Sequence, residues 1–152
     1  NTTEVKRSEV EQAIAEGAKE VDMVVNLGDV KNGDFDRVTE EIATLKRAAG
    51  DKILKVIIET CYLTEEEKIR LCRCVADGGA DYIKTSTGFG TAGATLEDIR
   101  LFRENIGPDV KMKAAGGVKT VADMEAFLEA GCDRIGTSSA IQLIQGEQTS
   151  GY

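Results

Sequence analysis

"ADYIKTSTGFGTAG", residues 80–93, joins an apolar strand to a lysine at its end and then to a run of hydroxyls and glycines. A strand lysine of this kind is usually a surface charge whose stem lies along apolar neighbours. The alternative is a nucleophile, because a neutral lysine amine attacks carbonyl groups. The residues that other strands bring to the same place decide between these two interpretations of Lys84.

Five strand-like runs, of which this is the third, recur along the chain with helix-like segments between them. They lie at 21–26, 53–60, 81–87, 110–117 and 134–139. Their starts are 24 to 32 residues apart, the size of a βα unit. Nearly continuous apolar runs are typical of parallel strands. The pattern predicts an α/β protein, either a doubly wound five-stranded sheet or part of a (β/α)8 TIM barrel.

Several helix boundaries are marked by capping residues. Ser8 with Glu11, and Thr64 with Glu67, have the spacing of a capping box and predict that helices begin there. Gly50 follows an amphipathic segment and predicts the end of another helix.

The composition is that of an ordinary single domain. The 152 residues are 41% hydrophobic and 30% charged, with a net charge of −8. No basic block offers a surface to nucleic acid. No apolar run approaches the roughly 20 residues of a membrane span, and the polar start "NTTEVKRSEVEQ" does not resemble a signal peptide. We therefore expect a cytoplasmic protein without nucleic-acid or membrane partners.

The cysteines and the absence of histidine restrict the chemistry. Cys61, Cys72, Cys74 and Cys132 form no CxxC pair, and no histidine could complete a zinc site. Free thiols in a reducing compartment are expected, with no metal and no cofactor. Histidine-dependent triads are excluded, so acid–base chemistry must use Lys, Asp, Glu, Tyr or Cys.

Each of the first four predicted strands carries a charged residue. The first strand carries Asp22, the second Lys55, the third Lys84 and the fourth both Lys111 and Lys113. Both candidate architectures place their chemistry at the carboxyl ends of the strands. Burial and a neighbouring cation both disfavour the ammonium form of a lysine. A pair of strand-end lysines therefore predicts a Schiff-base nucleophile, with Asp22 as a proton relay.

Two glycine-rich turns follow the fourth and fifth strands, at 116–117 and 136–139. Their backbone N–H groups and hydroxyls suit a phosphate group, although each turn alone is a weak signal. Together with the lysine pair, they predict a phosphorylated substrate.

Five motifs in order resemble the deoxyribose-phosphate aldolase family: "EVDMVVN", "LKVIIET", "YIKTSTGF", "KAAGGV" and "RIGTSS". The resemblance runs over nearly the whole chain. It implies a metal-independent class I aldolase on a TIM barrel. Such an enzyme interconverts 2-deoxy-D-ribose 5-phosphate with acetaldehyde and D-glyceraldehyde 3-phosphate.

The resemblance also implies residue roles. Lys84 would form the Schiff base, Lys113 would lower its pKa, Asp22 would assist proton transfer, and the terminal Tyr152 would handle protons. The phosphate-contacting turns of the family match Gly88, Gly116, Gly117, Gly136, Ser138 and Ser139.

The length departs from the family, because a TIM barrel needs about 250 residues. We expect residues 1–152 to be the C-terminal part of one barrel domain, with about five of eight βα units and without the N-terminal ones. Such an arc would expose two strand edges and an apolar inner wall, which predicts a homo-oligomer.

Two alternatives stay open. A truncated half-barrel could keep the phosphate turns and have little or no activity, and the motifs do not distinguish it from an aldolase. A different phosphate-binding barrel enzyme, such as a sugar-phosphate isomerase or synthase, is disfavoured by the lysine pair.

Overall fold

The computed structural model describes residues 1–146 as alternating strands and helices. The strands are β1 (Glu20–Val24), β2 (Ile53–Ile57), β3 (Tyr82–Lys84), β4 (Lys111–Ala115) and β5 (Arg134–Gly136). The helices are α1 (Thr3–Ala15), α2 (Leu27–Asn32), α3 (Phe35–Ala49), α4 (Glu65–Asp77), α5 (Leu96–Asn105), α6 (Val121–Glu129) and α7 (Ala140–Ile144). A short 3-10 turn, Thr60–Tyr62, follows β2.

The strand order separates the two predicted architectures. All five strands are parallel, and they lie side by side in the order β1-β2-β3-β4-β5. A doubly wound sheet reverses its strand order at a switch point, and no reversal occurs in the part of the chain that the structure describes. The sheet is therefore the arc of a barrel.

The apolar residues of the strands form the core between the sheet and the helices. Leu54, Val56, Ile83 and Ala114 are fully buried, and Met112 is nearly so. They alternate with residues on the other face, as the period of two in a strand requires. From the helices, fully buried side chains pack into the same core, namely Ile42, Leu45, Leu71, Val75, Ile99 and Phe102.

The inner wall corrects one expectation from the sequence. It was expected to be apolar, but Asp22, Lys55, Tyr82 and Lys111 are in register across four strands and face the same side. A second row contains Lys84, Lys113 and Arg134. Asp22, Lys55, Lys84 and Arg134 tolerate this partly buried surface because they form ion pairs.

The helix starts were predicted with mixed success. Thr64 and Glu67 form the predicted capping box of α4, and Gly50 caps α3 with a positive φ of 61°. The prediction for Ser8 was wrong, because α1 begins at Thr3 and Thr2 is its N-cap. Ser8 instead lies within the helix, where its hydroxyl donates to the backbone oxygen of Glu4.

The end of the first strand also differs from the prediction. β1 ends at Val24 rather than at Asn26. The Asn26 side chain accepts hydrogen bonds from the backbone N–H groups of Gly28 and Asp29, and so begins the short helix α2. An asparagine after an apolar run is a helix-capping signal that outweighs continuation of the strand.

Within residues 1–146, no helix combines the length and the apolar character needed to cross a membrane. The four cysteines are free thiols, as predicted. Cys72, Cys74 and Cys132 are buried in the core, whereas Cys61 is partly exposed.

Ile83 tests the importance of the core behind the central strand. Because Ile83 is fully buried next to Lys84, Ile83→Ala should lower the free energy of unfolding by about 2–5 kcal/mol. Val121 is 45% exposed on α6, so Val121→Ala should change the free energy of unfolding by no more than about 0.5 kcal/mol. Urea denaturation measures both, and equal effects would contradict the assigned core.

Candidate active site

The two predicted lysines are direct neighbours across strands. Lys84 is the last residue of β3, and its Cα partner in β4 is Lys113. The backbone N–H of Thr85 donates to the Lys113 oxygen at 3.2 Å, so the pairing continues beyond β3. On the far side, a Cβ at Gly136 would lie 3.2 Å from Cε of Lys113. The glycine therefore leaves room for the lysine side chain.

Asp22 holds ammonium groups from two strands. Its Oδ2 lies 2.8 Å from Nζ of Lys84, and its Oδ1 lies 2.6 Å from Nζ of Lys55. Partial burial favours the neutral carboxylic acid, but the hydrogen bonds and charges of Lys55 and Lys84 outweigh it. They hold the pKa of Asp22 below its usual value.

A second carboxylate extends the network. Glu20 pairs with Arg134 of β5 and lies 2.9 Å from Nζ of Lys55. The Arg134 hydrogen bonds, followed by the Lys55 hydrogen bond, lower the pKa of Glu20 to about 2. Burial favours neutral Lys55, yet its bonds to Asp22 and Glu20 prevail and raise its pKa. The arginine also lies over the Tyr82 ring, 5.1 Å from its centroid.

The sequence analysis named Lys55 among the charged strand residues without placing it in this cluster, and it did not name Glu20 or Arg134. A signal was available in the alternation along the strands, because Glu20 is two residues before Asp22 and therefore shares its face. The register that brings Lys55 beside Asp22 needed the structure.

The pKa of Lys113 is lowered from its usual value. Burial is the main cause, and the positive charge of Lys84 adds to it. Asp22 opposes the shift but does not cancel it. Among residues 1–146, the Lys113 amine has no ion-pair partner, in contrast to Lys84. The site thus holds one lysine in an ion pair beside one lysine whose pKa is lowered.

Not all hydroxyls after Lys84 face the site. Thr85 and Ser86 are fully buried. The Thr85 hydroxyl donates to the Ala115 oxygen at 3.2 Å, while its Oγ1 accepts from the Ala115 N–H at 3.1 Å. Ser86 in turn donates to Thr85. These two side chains join β3 to β4 rather than offering donors to a substrate.

A cavity of about 190 Å³ lies where the lysines meet the glycine turns. Its lining consists of Lys84, Thr87, Gly88, Lys113, Ala115, Gly116, Gly136, Thr137 and Ser138. The structure therefore brings together both predicted lysines and four of the six residues predicted for phosphate binding. Asp22 is connected to them through its bond to Lys84.

Gly117 and Ser139, also predicted for phosphate binding, do not line this cavity. Gly117 has a φ of +74°, and a Cβ there would lie 3.1 Å from the Ala94 oxygen. Ser139 is buried, and its backbone N–H donates to Oγ1 of Thr137 at 3.1 Å. Tyr152 lies outside the described residues.

Gly93 has a part in the site that the sequence did not indicate. A Cβ on Gly93 would come within 2.4 Å of the backbone carbon of Gly116. The N–H of Ala94 donates to the oxygens of Ala115 and Gly116, at 3.1 and 3.2 Å. The loop after β3 thus rests directly on the turn after β4, and only a glycine fits between them.

A larger cavity, of about 790 Å³, lies between α1 and the edge strand β1. It includes Asp22 but neither Lys84 nor Lys113, and its walls are mainly β1 and α1 side chains such as Val10 and Met23. We place the candidate active site in the smaller cavity because both lysines and the glycine turns line it.

Comparisons with known proteins define the class to which this site belongs. A family model described as DeoC/LacD family aldolase matches residues 1–141. The chain therefore belongs to the DeoC/LacD family of aldolases, and the resemblance inferred from its five motifs is confirmed. This membership also removes the sugar-phosphate isomerase or synthase alternative.

Individual relatives agree with the family model. A deoxyribose-phosphate aldolase from Clostridium botulinum (strain Eklund 17B / Type B) is 64% identical over 152 residues, which is all of this chain and 69% of the relative. A deoxyribose-phosphate aldolase from Clostridioides difficile (strain 630) is 57% identical, over 99% of this chain and 69% of the relative. The chain thus spans about two thirds of the length of these relatives.

Solved structures support the barrel architecture. The aldolase QR15 superimposes with a TM-score of 0.91 at 42% identity, covering 96% of this chain and 66% of QR15. A second structure is deoxyribose phosphate aldolase from Aeropyrum pernix, which is described as a unique tetrameric structure. It superimposes with a TM-score of 0.86 at 29% identity, covering 96% of this chain and 62% of that chain. These TIM-barrel neighbours and the strand order confirm the predicted incomplete (β/α)8 barrel.

The ion pairs of Glu20 predict a specific sensitivity to acid. Because the folded-state pKa of Glu20 is about 2, below the usual 4.5, its stabilisation is complete above about pH 4.5. The stabilisation is lost as the pH falls towards about 2. Glu20→Gln should therefore lower the melting temperature near pH 7, and the difference from the unsubstituted chain should shrink on acidification. Glu9→Gln, on the exposed face of α1, should have no such effect.

A second prediction concerns the neighbouring amines. Since the charge of Lys84 helps to lower the pKa of Lys113, Lys84→Met should raise the pKa of Lys113 towards its ordinary value. NMR titration after reductive methylation with ¹³C-formaldehyde measures the pKa of Lys113. Lys111→Met is the control, because Lys111 lies nearer the start of β4 and is not among the causes of the shift. An unchanged or lower pKa in Lys84→Met would contradict the assigned coupling.

Proposed function

We propose that the chain acts as a class I aldolase that interconverts 2-deoxy-D-ribose 5-phosphate with acetaldehyde and D-glyceraldehyde 3-phosphate. One observation carries the proposal: Lys84 and Lys113 are cross-strand partners that line one cavity with Gly88, Gly116 and Gly136. The relatives named deoxyribose-phosphate aldolase, up to 64% identical, support the choice of substrate.

In this proposal, Lys84 is the Schiff-base nucleophile. Its neutral amine adds to the aldehyde carbonyl. Loss of water then leaves an iminium that is covalently attached to the protein through Nζ of Lys84. During cleavage the iminium accepts the electron pair of the C2–C3 bond of the sugar as the C3 hydroxyl loses its proton, which gives an enamine and D-glyceraldehyde 3-phosphate. Protonation of the enamine and hydrolysis then release acetaldehyde and free Lys84, and condensation runs through the same steps in reverse. Lys113 is the cross-strand neighbour of Lys84, and its positive charge would disfavour a second ammonium group beside it, which is the part that the family resemblance implies for this lysine.

Asp22 would complete the proton transfer. Its carboxylate already bonds to Nζ of Lys84 at 2.8 Å, and its lowered pKa keeps it ionised at neutral pH. Lys55 holds the other oxygen of the same carboxylate. Asp22 can therefore accept and return a proton without changing its position. The proposed part of Tyr152 in proton handling rests on the family resemblance.

The phosphate group would bind at the other end of the cavity. Gly88, Gly116, Gly136 and Ser138 line it, and Gly117 and Ser139 adjoin these turns. Gly88, Gly116 and Gly117 have positive φ angles, a conformation found in anion-binding turns. The Gly116 N–H donates to the Gly136 oxygen at 3.2 Å, so the N–H groups of Gly88 and Gly117 are the proposed donors.

We also propose that the chain is one part of a single barrel domain that associates with further copies of itself in the cytoplasm. Two observations support this. β1 and β5 are edge strands of an open sheet in the described residues, and such edges favour pairing. The buried free thiols suit a reducing compartment.

Borohydride reduction in the presence of acetaldehyde tests the central step. The expected product is an N-ethyl lysine that peptide mapping assigns to Lys84 and that is lost in Lys84→Met. Lys111→Met is the matched control, because its side chain is exposed on the neighbouring strand, and it should still form the adduct. An adduct on Lys113 instead would reverse the two roles. No adduct on folded protein would favour the half-barrel without catalytic activity.

A further inference from the structure

Glu59, directly after β2, has an unusual backbone for its residue type. Its φ of 48° and ψ of 65° place it in the left-handed region, and no other non-glycine among the described residues has a positive φ. That region crowds a Cβ, so a glutamate stays there only when its surroundings impose it. The neighbouring N–H of Thr60 donates to the Thr85 oxygen at 2.9 Å and fixes this part of the chain.

The strained backbone directs the Glu59 carboxylate onto the turn after Lys84. Glu59 is 5% exposed. One carboxylate oxygen accepts from the Thr87 backbone N–H at 3.2 Å, and the other accepts from the Thr87 hydroxyl. Oγ1 of Thr87 in turn accepts from the Phe89 N–H at 3.0 Å. A continuous series of hydrogen bonds therefore runs from Glu59 through residues 87–89.

Packing at Gly90 fixes the other end of the same turn. A Cβ at Gly90 would lie 2.6 Å from Sγ of Cys61 and 3.1 Å from a carboxylate oxygen of Glu59. The turn closes this tightly only because residue 90 is a glycine. Residues 87–90 are thus held against Glu59 at both ends, and we refer to them as the Glu59-bound turn.

The Glu59-bound turn forms one wall of the candidate active site. Thr87 and Gly88 line the cavity of about 190 Å³ together with Lys84 and Lys113, whereas Glu59 does not line it. Both carboxylate oxygens accept hydrogen bonds from Thr87. Glu59 can therefore fix the wall of an anion site without presenting its own charge to the anion.

We propose that Glu59 is a positioning residue that holds the Glu59-bound turn so that Gly88 can bind the substrate phosphate. The inference deepens the proposed function and rests on it for the identity of the phosphorylated substrate. Gly88 has a φ of 96° and follows Thr87 directly, so the two bonds to Thr87 restrain the residue that leads into the Gly88 N–H. Loss of the carboxylate affects phosphate binding and leaves the chemistry at Lys84 in place.

The experiment compares 2-deoxyribose 5-phosphate with unphosphorylated 2-deoxyribose in Glu59→Gly and Glu59→Gln. Glycine adopts the left-handed conformation without strain, so Glu59→Gly removes the carboxylate and preserves the backbone. We expect KM for the phosphorylated substrate to rise roughly tenfold in Glu59→Gly, and less in Glu59→Gln, which retains one acceptor. KM for 2-deoxyribose should change less than about twofold. Glu65→Gln, at the exposed start of α4, is the control and should change neither.

Binding of inorganic phosphate, measured by calorimetry, keeps this inference separate from the aldolase proposal. It should weaken roughly tenfold in Glu59→Gly whether or not acetaldehyde forms an adduct with Lys84. Absence of the adduct would overturn the aldolase proposal alone. Unchanged phosphate binding in folded Glu59→Gly, or equal losses with both sugars, would overturn the positioning role. If Glu59→Gly does not fold, Thr87→Val removes the hydroxyl bond from the other partner and must give the same selective loss.

Discussion

The charge arrangement of the inner wall depends on one carboxylate. Asp22 accepts an ammonium group at each oxygen, from Lys55 of the adjacent strand and from Lys84 two strands away. Three strands are thereby joined on the face that the helices do not cover. Without this carboxylate, two cations would face each other on a partly buried surface, where desolvation and repulsion act together. Lys113 is the amine left outside these pairs, and burial, followed by the charge of Lys84, lowers its pKa.

The local features of the fold could be predicted from the sequence. Apolar runs separated by the length of a βα unit correctly predicted the five strands. The spacing of Thr64 and Glu67 correctly predicted the start of α4. The prediction that a helix begins at Ser8 was wrong because the same residue types also occur within helices. Thr2 is the residue that caps the start of α1. The strand order needed the structure, because two architectures share the same order of elements along the chain.

The site was predictable to the extent that it follows from strand ends. Lys84, Lys113 and four turn residues converge on one cavity because parallel strands end at one edge of the sheet. The charged network of Glu20, Lys55 and Arg134 was missed because it depends on register, which one sequence does not contain. The expectation of an apolar inner wall was wrong because the apolar side chains of the strands pack against the helices on the other face of the sheet.

The contact between Gly93 and Gly116 has a consequence for how this site can change over evolution. Two loops that belong to different βα units touch backbone to backbone, with less than the space of a methyl group between them. Barrel enzymes usually acquire new specificities by varying one loop at a time on a constant scaffold. Here a residue with a side chain at position 93 would displace the turn that follows Lys113. A substitution in the loop after β3 at this contact therefore requires a matching change in the loop after β4.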